Sequence, residues 1–284
     1  MSPQPQTGRD TGATVRKWQT TGGIAAAAFL TLLAVATPTH GGSPRPSPAD
    51  DLLPDIVEEV PHHLQIQNTQ QGEFLRFSTT HINIGDGPLQ IRGGGQVEPC
   101  IIDGVSYDQC TRANQEIVDP QNNVVLSRDA GVAVFHPEHN HWHQDAVAEF
   151  SIVNADQVTK VTGTKVTFCL VDIKHYGDTG TFKKDYPRTY FECNGDLQGI
   201  APGWGDQYHQ STPGQELEVT GLPTGTYFLW HEADPENRWL ESNETNNTTW
   251  VKFRLDRKGA NASVTVLGTS ECIPDITCGY GGNP

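Results

Sequence analysis

Positive charge is scarce in this chain of 284 residues: 19 Lys and Arg stand against 34 Asp and Glu, a formal net charge of −15. That balance repels a nucleic-acid backbone, so no nucleic-acid partner is expected, whereas cationic substrates or simple solubility outside a cell fit it. Long apolar runs are missing as well. The one uncharged hydrophobic stretch, residues 24–36, has thirteen residues, and a membrane span needs about 20. No Gly-rich phosphate loop, Gly-x-Ser-x-Gly elbow, His-Glu-x-x-His helix or internal repeat is present. The chemistries built on those motifs therefore lack their residues.

What is there begins with an export signature. Arg9, Arg16 and Lys17 precede the short apolar stretch, and Ala34-Val35-Ala36 fits a small-x-small cleavage site. The reading is a secretory leader over residues 1–36, with an uncleaved anchor as the alternative, and no stable membrane insertion once the leader is removed. A flexible linker follows over 37–54, in which Pro, Ser and Gly crowd residues 41–49. The main domain is placed at 55–270 and a Cys-containing tail at 271–284. Losing three bases and one acid with the leader takes the net charge to −17.

All six cysteines lie beyond the leader, and an even count in an exported chain argues for three disulfides. Sequence proximity suggests Cys100–Cys110, Cys169–Cys193 and Cys272–Cys278, although six cysteines allow fifteen connectivities. Asn243, Asn247 and Asn261 open Asn-x-Ser/Thr sequons.

Helical periodicity is almost absent from the mature chain. Residues 74–82, 124–126, 132–135, 147–152, 165–171, 216–219, 227–230 and 250–255 are short, β-branched or aromatic, and bounded by Gly, Pro, Asn and Asp. The expected fold is all-β, a β-sandwich-like domain. Residues 172–213 interrupt it with a long Gly/Pro-rich irregular region, whose aromatics Tyr176, Phe182, Tyr186, Tyr190, Phe191, Trp204 and Tyr208 argue for order and hence for a functional loop.

Four of the eleven histidines fall within residues 136–143. His139, His141 and His143 alternate with Asn140 and Trp142. An extended strand would carry the three imidazoles on one face, spaced roughly 6.5–7 Å, a span that side chains can close onto one ion at about 2 Å. Three imidazoles without a nearby thiolate suit copper or zinc. The competing interpretation is a solvent-facing polar strand. His136, with Pro137 breaking the strand and an odd offset, is expected to aim elsewhere, in a supporting or structural role.

Three further segments sharpen this. The His-x-His-x-His run, Gly163-Thr164-Lys165-Val166-Thr167-Phe168-Cys169-Leu170-Val171-Asp172, the stretch from Gln198 through Ala201-Pro202-Gly203 to Tyr208, and Leu240-Glu241-Ser242-Asn243-Glu244-Thr245-Asn246-Asn247 occur in this order. In that order they resemble the lysyl oxidases. Leu75-Arg76-Phe77 with Asn83 and Gly85 is similar to that family's opening strand, so the resemblance covers about residues 70–256.

The resemblance implies a secreted copper amine oxidase with a cofactor, lysine tyrosylquinone, made from its own side chains. His139, His141 and His143 match the Cu2+ ligands, Lys165 the cofactor lysine and Tyr208 the cofactor tyrosine. The implied reaction turns primary amines, peptidyl lysine among them, into aldehydes, reducing O2 to hydrogen peroxide and releasing ammonia. It needs a base for an α-proton. Asp145, two residues beyond His143, is a candidate for that base or for a hydrogen-bond partner behind the ligands; Asp172, Asp206, His209 and His231 are poorer candidates.

Departures from the animal enzymes are also evident. Glu138 stands where they place a cysteine before the copper run, and no cysteine follows closely after Cys169, so their bridge pattern does not carry over. The resemblance implies a minimal version without an accessory domain. Two alternatives remain open: an adhesion-type β-sandwich that binds without chemistry, and a copper or zinc scavenger that makes no quinone.

Overall fold

A computed structural model of the chain describes residues 52–279 apart from 139, 158–159, 178–181, 183–185 and 260. The expected leader, most of the linker and His139 lie outside the described residues.

Every regular element among the described residues is a strand. The first half of the chain forms β1 (Ile56–Glu58), β2 (His62–Asn68), β3 (Glu73–Asn83), β4 (Leu89–Gln96), β5 (Ile101–Ile102), β6 (Val105–Ser106), β7 (Cys110–Val118), β8 (Val124–His136) and β9 (His141–Asn154). The second half forms β10 (Lys160–Phe168), β11 (Lys174–His175), β12 (Leu197–Ile200), β13 (Trp204–Tyr208), β14 (Glu216–Glu218), β15 (Gly225–Ala233), β16 (Thr248–Lys258) and β17 (Asn261–Thr269). The all-β expectation holds. One sheet runs β1-β3-β13-β11, with β2 and β14 also paired to β3. The larger runs β12-β4-β7-β8-β9-β15-β16-β17, with β10 on β9. All the pairings are antiparallel.

The core forms where apolar faces of the two sheets meet. Phe77 of β3 and Phe150 of β9 are both fully buried, and their rings meet edge to face at 4.8 Å, an arrangement that adds to plain area burial. Leu75, Ile152, Leu229, Phe253 and Leu255 extend the same cluster. No helix among the described residues is long and apolar enough to cross a membrane.

Three differences from the sequence expectation have local causes. Residues 124–126 and 132–135 belong to one strand, β8, because the polar residues between them pair with β7. β4 and β7 were not anticipated: in β4 only Leu89 and Ile91 alternate with polar residues before Gly93, Gly94 and Gly95 interrupt, and β7 reads Cys-Thr-Arg-Ala-Asn-Gln-Glu without the apolar alternation of a half-buried strand. The region 172–213 is irregular only in part, since β11, β12 and β13 lie within it. Tyr208 thus ends a strand instead of occupying a loop.

Buried polar side chains hold that region in place. Asp172, fully buried, accepts hydrogen bonds from the amides of Thr189 (2.8 Å), Tyr190 (3.0 Å) and Ala201 (2.8 Å). Asn83 donates through Nδ2 to the carbonyls of Gly87 (2.9 Å) and Ile200 (2.8 Å), tying β3 to β12. Gly199 has no room for a side chain: a Cβ there would sit 2.2 Å from the Leu89 carbonyl oxygen. The three disulfides are Cys100–Cys110, Cys169–Cys193 and Cys272–Cys278, as sequence proximity suggested.

Candidate functional site

The histidine run enters the structure at a hairpin. Asn140 takes a positive φ of 54°, a conformation Asn tolerates better than most residues, and its amide donates to the Pro137 carbonyl. β9 then begins at His141 and carries His141 and His143, both half-buried. Their Nε2 atoms converge to 2.8 Å. Two imidazole nitrogens that close share a proton or face a common cation. His143 Nδ1 lies 3.3 Å from Thr167 Oγ1 on β10, the kind of contact that fixes a ligating ring's orientation. His136 was expected to aim elsewhere. Instead β8 pairs it with His141, and its ring lies 4.4 Å from that of His143, so it packs on the cluster.

Behind the run, residues 193–198 fold over Trp142. The Cys193 carbonyl accepts from the Trp142 amide at 2.8 Å, and Gln198 Nε2 donates to the Trp142 carbonyl at 2.9 Å. With Cys193 bonded to Cys169, the segment is lashed to both β9 and the end of β10.

Lys165 lies on β10, opposite Glu149 of β9 and two residues before Thr167. Tyr208 reaches the same strand from the other sheet. Its ring stacks on Phe168, with centroids 3.9 Å apart, and its hydroxyl donates to the Cys169 carbonyl at 2.5 Å. Residues 43 positions apart in sequence are thereby drawn to one stretch of backbone. Burial pushes the Tyr208 phenol well above its usual range, and the neighbouring Asp206 carboxyl adds to that. Burial also pushes Asp206 up to about 8, against the opposing pull of His81. Asp145 pairs with Arg238 Nη1 at 3.0 Å, and Ala146 beside it adopts a positive φ of 50° within β9, where the register against β10 shifts.

Sequence reasoning missed a second group. Glu58, His81 and His231 meet between the sheets with no exposure. His81 Nδ1 lies 2.7 Å from Glu58 Oε1, and His231 Nε2 lies 2.9 Å from Glu58 Oε2. Burial alone would raise Glu58, but the His231 and His81 imidazoles hold it below the usual carboxylate range. Burial opposes charge on His81, yet Glu58 raises it overall. The His81 ring lies 6.2 Å from that of Tyr208 and 5.2 Å from that of His231. The three come from separate segments, so no spacing in the sequence marks them. The one available signal was an ionisable residue inside an otherwise apolar strand.

The comparisons with known proteins follow this geometry. The sequence profile of the family described as Lysyl oxidase matches residues 108–265, a span that contains the histidine run, Lys165 and Tyr208. Lysyl oxidase homolog 2 of Mus musculus is 31% identical over 216 residues, covering 72% of this chain and 25% of that protein. The Rattus norvegicus counterpart gives the same figures, and the Bos taurus one is 30% identical over 125 residues, 43% of this chain and 15% of its own length. The chain thus spans between about a seventh and a quarter of those relatives. A match across more than half the chain, on the segments that bring β9, β10 and β13 together, means that this protein belongs to the lysyl oxidase family.

Proposed function

We propose that this protein is a copper-dependent amine oxidase that converts primary amines, including lysine side chains of polypeptides, to aldehydes with release of ammonia and hydrogen peroxide, acting outside the cell. Family membership supports amine oxidation in broad terms. The finer assignment rests above all on Tyr208, whose ring and hydroxyl meet Phe168 and Cys169, three and four residues beyond Lys165 on the same stretch of chain.

In this reading His139, His141 and His143 hold Cu2+, and Lys165 and Tyr208 supply lysine tyrosylquinone. The convergence of His141 and His143 fits the ion, and a buried phenol beside the lysine's strand fits the quinone. Copper would supply oxygen chemistry, and the quinone an electrophilic carbonyl that no ordinary side chain offers.

The chain's own groups prepare that site. Thr167 steadies the His143 ring. Phe168 covers the Tyr208 ring and excludes water, while the Cys169 carbonyl holds its proton. Asp145 is the proposed base for the substrate α-proton and is held ready by Arg238, whose release frees the carboxylate. The chain's negative balance draws cationic amines toward it.

The test is amine-dependent hydrogen peroxide production by protein loaded with copper in air. Wild type should produce it and the Tyr208→Phe variant should not. Undiminished turnover in Tyr208→Phe would sink the assignment.

A further inference from the structure

Glu58, His81 and His231 carry a consequence separate from amine oxidation. Glu58 is on β1 and His81 on β3 of one sheet, and His231 is on β15 of the other. One donor atom from each lies within 4.8 Å of those of the other two, and all three residues are completely buried.

The contact between Glu58 and His231 is close but poorly aligned. The atoms are 2.9 Å apart, an ideal distance, yet Glu58 Oε2 and His231 Nε2 both end without a hydrogen-bond partner. At that distance the alignment falls short of a good hydrogen bond, and the donor atoms of all three residues remain within 4.8 Å of one another. Burying a carboxylate oxygen and a ring nitrogen this way is unfavourable unless something else satisfies both. Nearby, Asp206 is 1% exposed and its Oδ2 also lacks a hydrogen bond. Glu58 and Asp206 are thus both enclosed in the interior, and the ion pairs of Glu58 are with imidazoles alone. A divalent cation would accept the unsatisfied lone pairs of Glu58 and His231 together. Two imidazoles and one carboxylate suit zinc and its neighbours in the transition series.

We propose that Glu58, His81 and His231 form a second metal site, separate from the histidine run, that takes a zinc-class divalent ion and staples the two sheets together beneath Tyr208. Full burial leaves no path for the ion to enter a finished fold, so it is taken up as the chain folds and leaves only when the chain opens. Its role is structural, and it stands whether or not the protein oxidises amines.

The experiment measures metal content of the full chain produced in zinc-supplemented medium and then dialysed against a chelator. The His141→Ala protein should retain one ion per chain after dialysis, whereas Glu58→Gln and His231→Asn should each retain one ion fewer than wild type. Refolding wild type without zinc should lower its melting temperature by about 5–10 °C. Should the buried-site variants fail to fold, X-ray absorption at the zinc edge of the folded His141→Ala protein decides. Scattering from two imidazole nitrogens and a carboxylate supports the site. Zinc in any other ligand set overturns it. No retained zinc, with nitrogen NMR showing a proton held between His81 and Glu58, also overturns it and makes the cluster a proton-bridged ion pair.

Discussion

Single side chains decide the chemistry proposed here, and each can be questioned separately. Tyr208→Phe keeps the stack on Phe168 and loses the hydrogen bond to the Cys169 carbonyl. It should cost about 1 kcal/mol of stability, measured by denaturant melts, while copper binding stays intact and quinone absorbance disappears. Lys165→Arg should likewise bind copper without developing quinone colour, because a guanidinium remains protonated and cannot add to the ring. Peptide mass spectrometry of copper-loaded wild type should recover Lys165 and Tyr208 joined in one species; separate, unmodified peptides from an active preparation would contradict it. His141→Ala should remove most copper binding by metal analysis. His136→Ala should remove less, since His136 packs on the His143 ring from across the hairpin.

Elements and their connections place those side chains. The segment after β10 is held by Cys169–Cys193, which closes a loop of 24 residues. Changing both cysteines to serine should destabilise the protein by about 2–4 kcal/mol and loosen the cover over Trp142, seen as faster amide exchange in residues 189–198. The turn after β15 offers a pH test. Asp234, 7% exposed, accepts hydrogen bonds from the amides of Arg238 and Trp239 at 2.9 and 2.7 Å. Burial pushes its carboxyl up to about 6 from an ordinary 3.8. A raised acid favours the protonated form of the fold, so its contribution is neutral below about pH 4 and turns unfavourable as pH rises to 6. That loss amounts to about 2–3 kcal/mol. Chemical denaturation across this window should show the decline, and Asp234→Asn should flatten it.

At the scale of the whole molecule, the sandwich brings β10 of one sheet and β13 of the other to a shared seam. Phe77 and Phe150 bridge the sheets at the centre of the core, so Phe77→Ala should destabilise by about 3–5 kcal/mol in equilibrium unfolding. Thiol titration under denaturant should find no free sulfhydryl, in keeping with the three disulfides.

The amino-acid order alone settled the features that are local. Alternation of His141 and His143, the Lys165-to-Cys169 context and the all-β class could be read directly, and proximity suggested the disulfide partners, because strand periodicity and short loop closures act over a few residues. β4 and β7 stayed hidden because the alternation of β4 stops after Ile91 at a run of glycines, β7 has none, and both strands are stabilised by neighbours on both sides. Only the tertiary structure could bring Tyr208 onto Phe168 or gather Glu58, His81 and His231 into one buried group. Those contacts join residues up to 173 positions apart in sequence, and they exist because the two sheets pack face to face, a long-range outcome that no local pattern encodes.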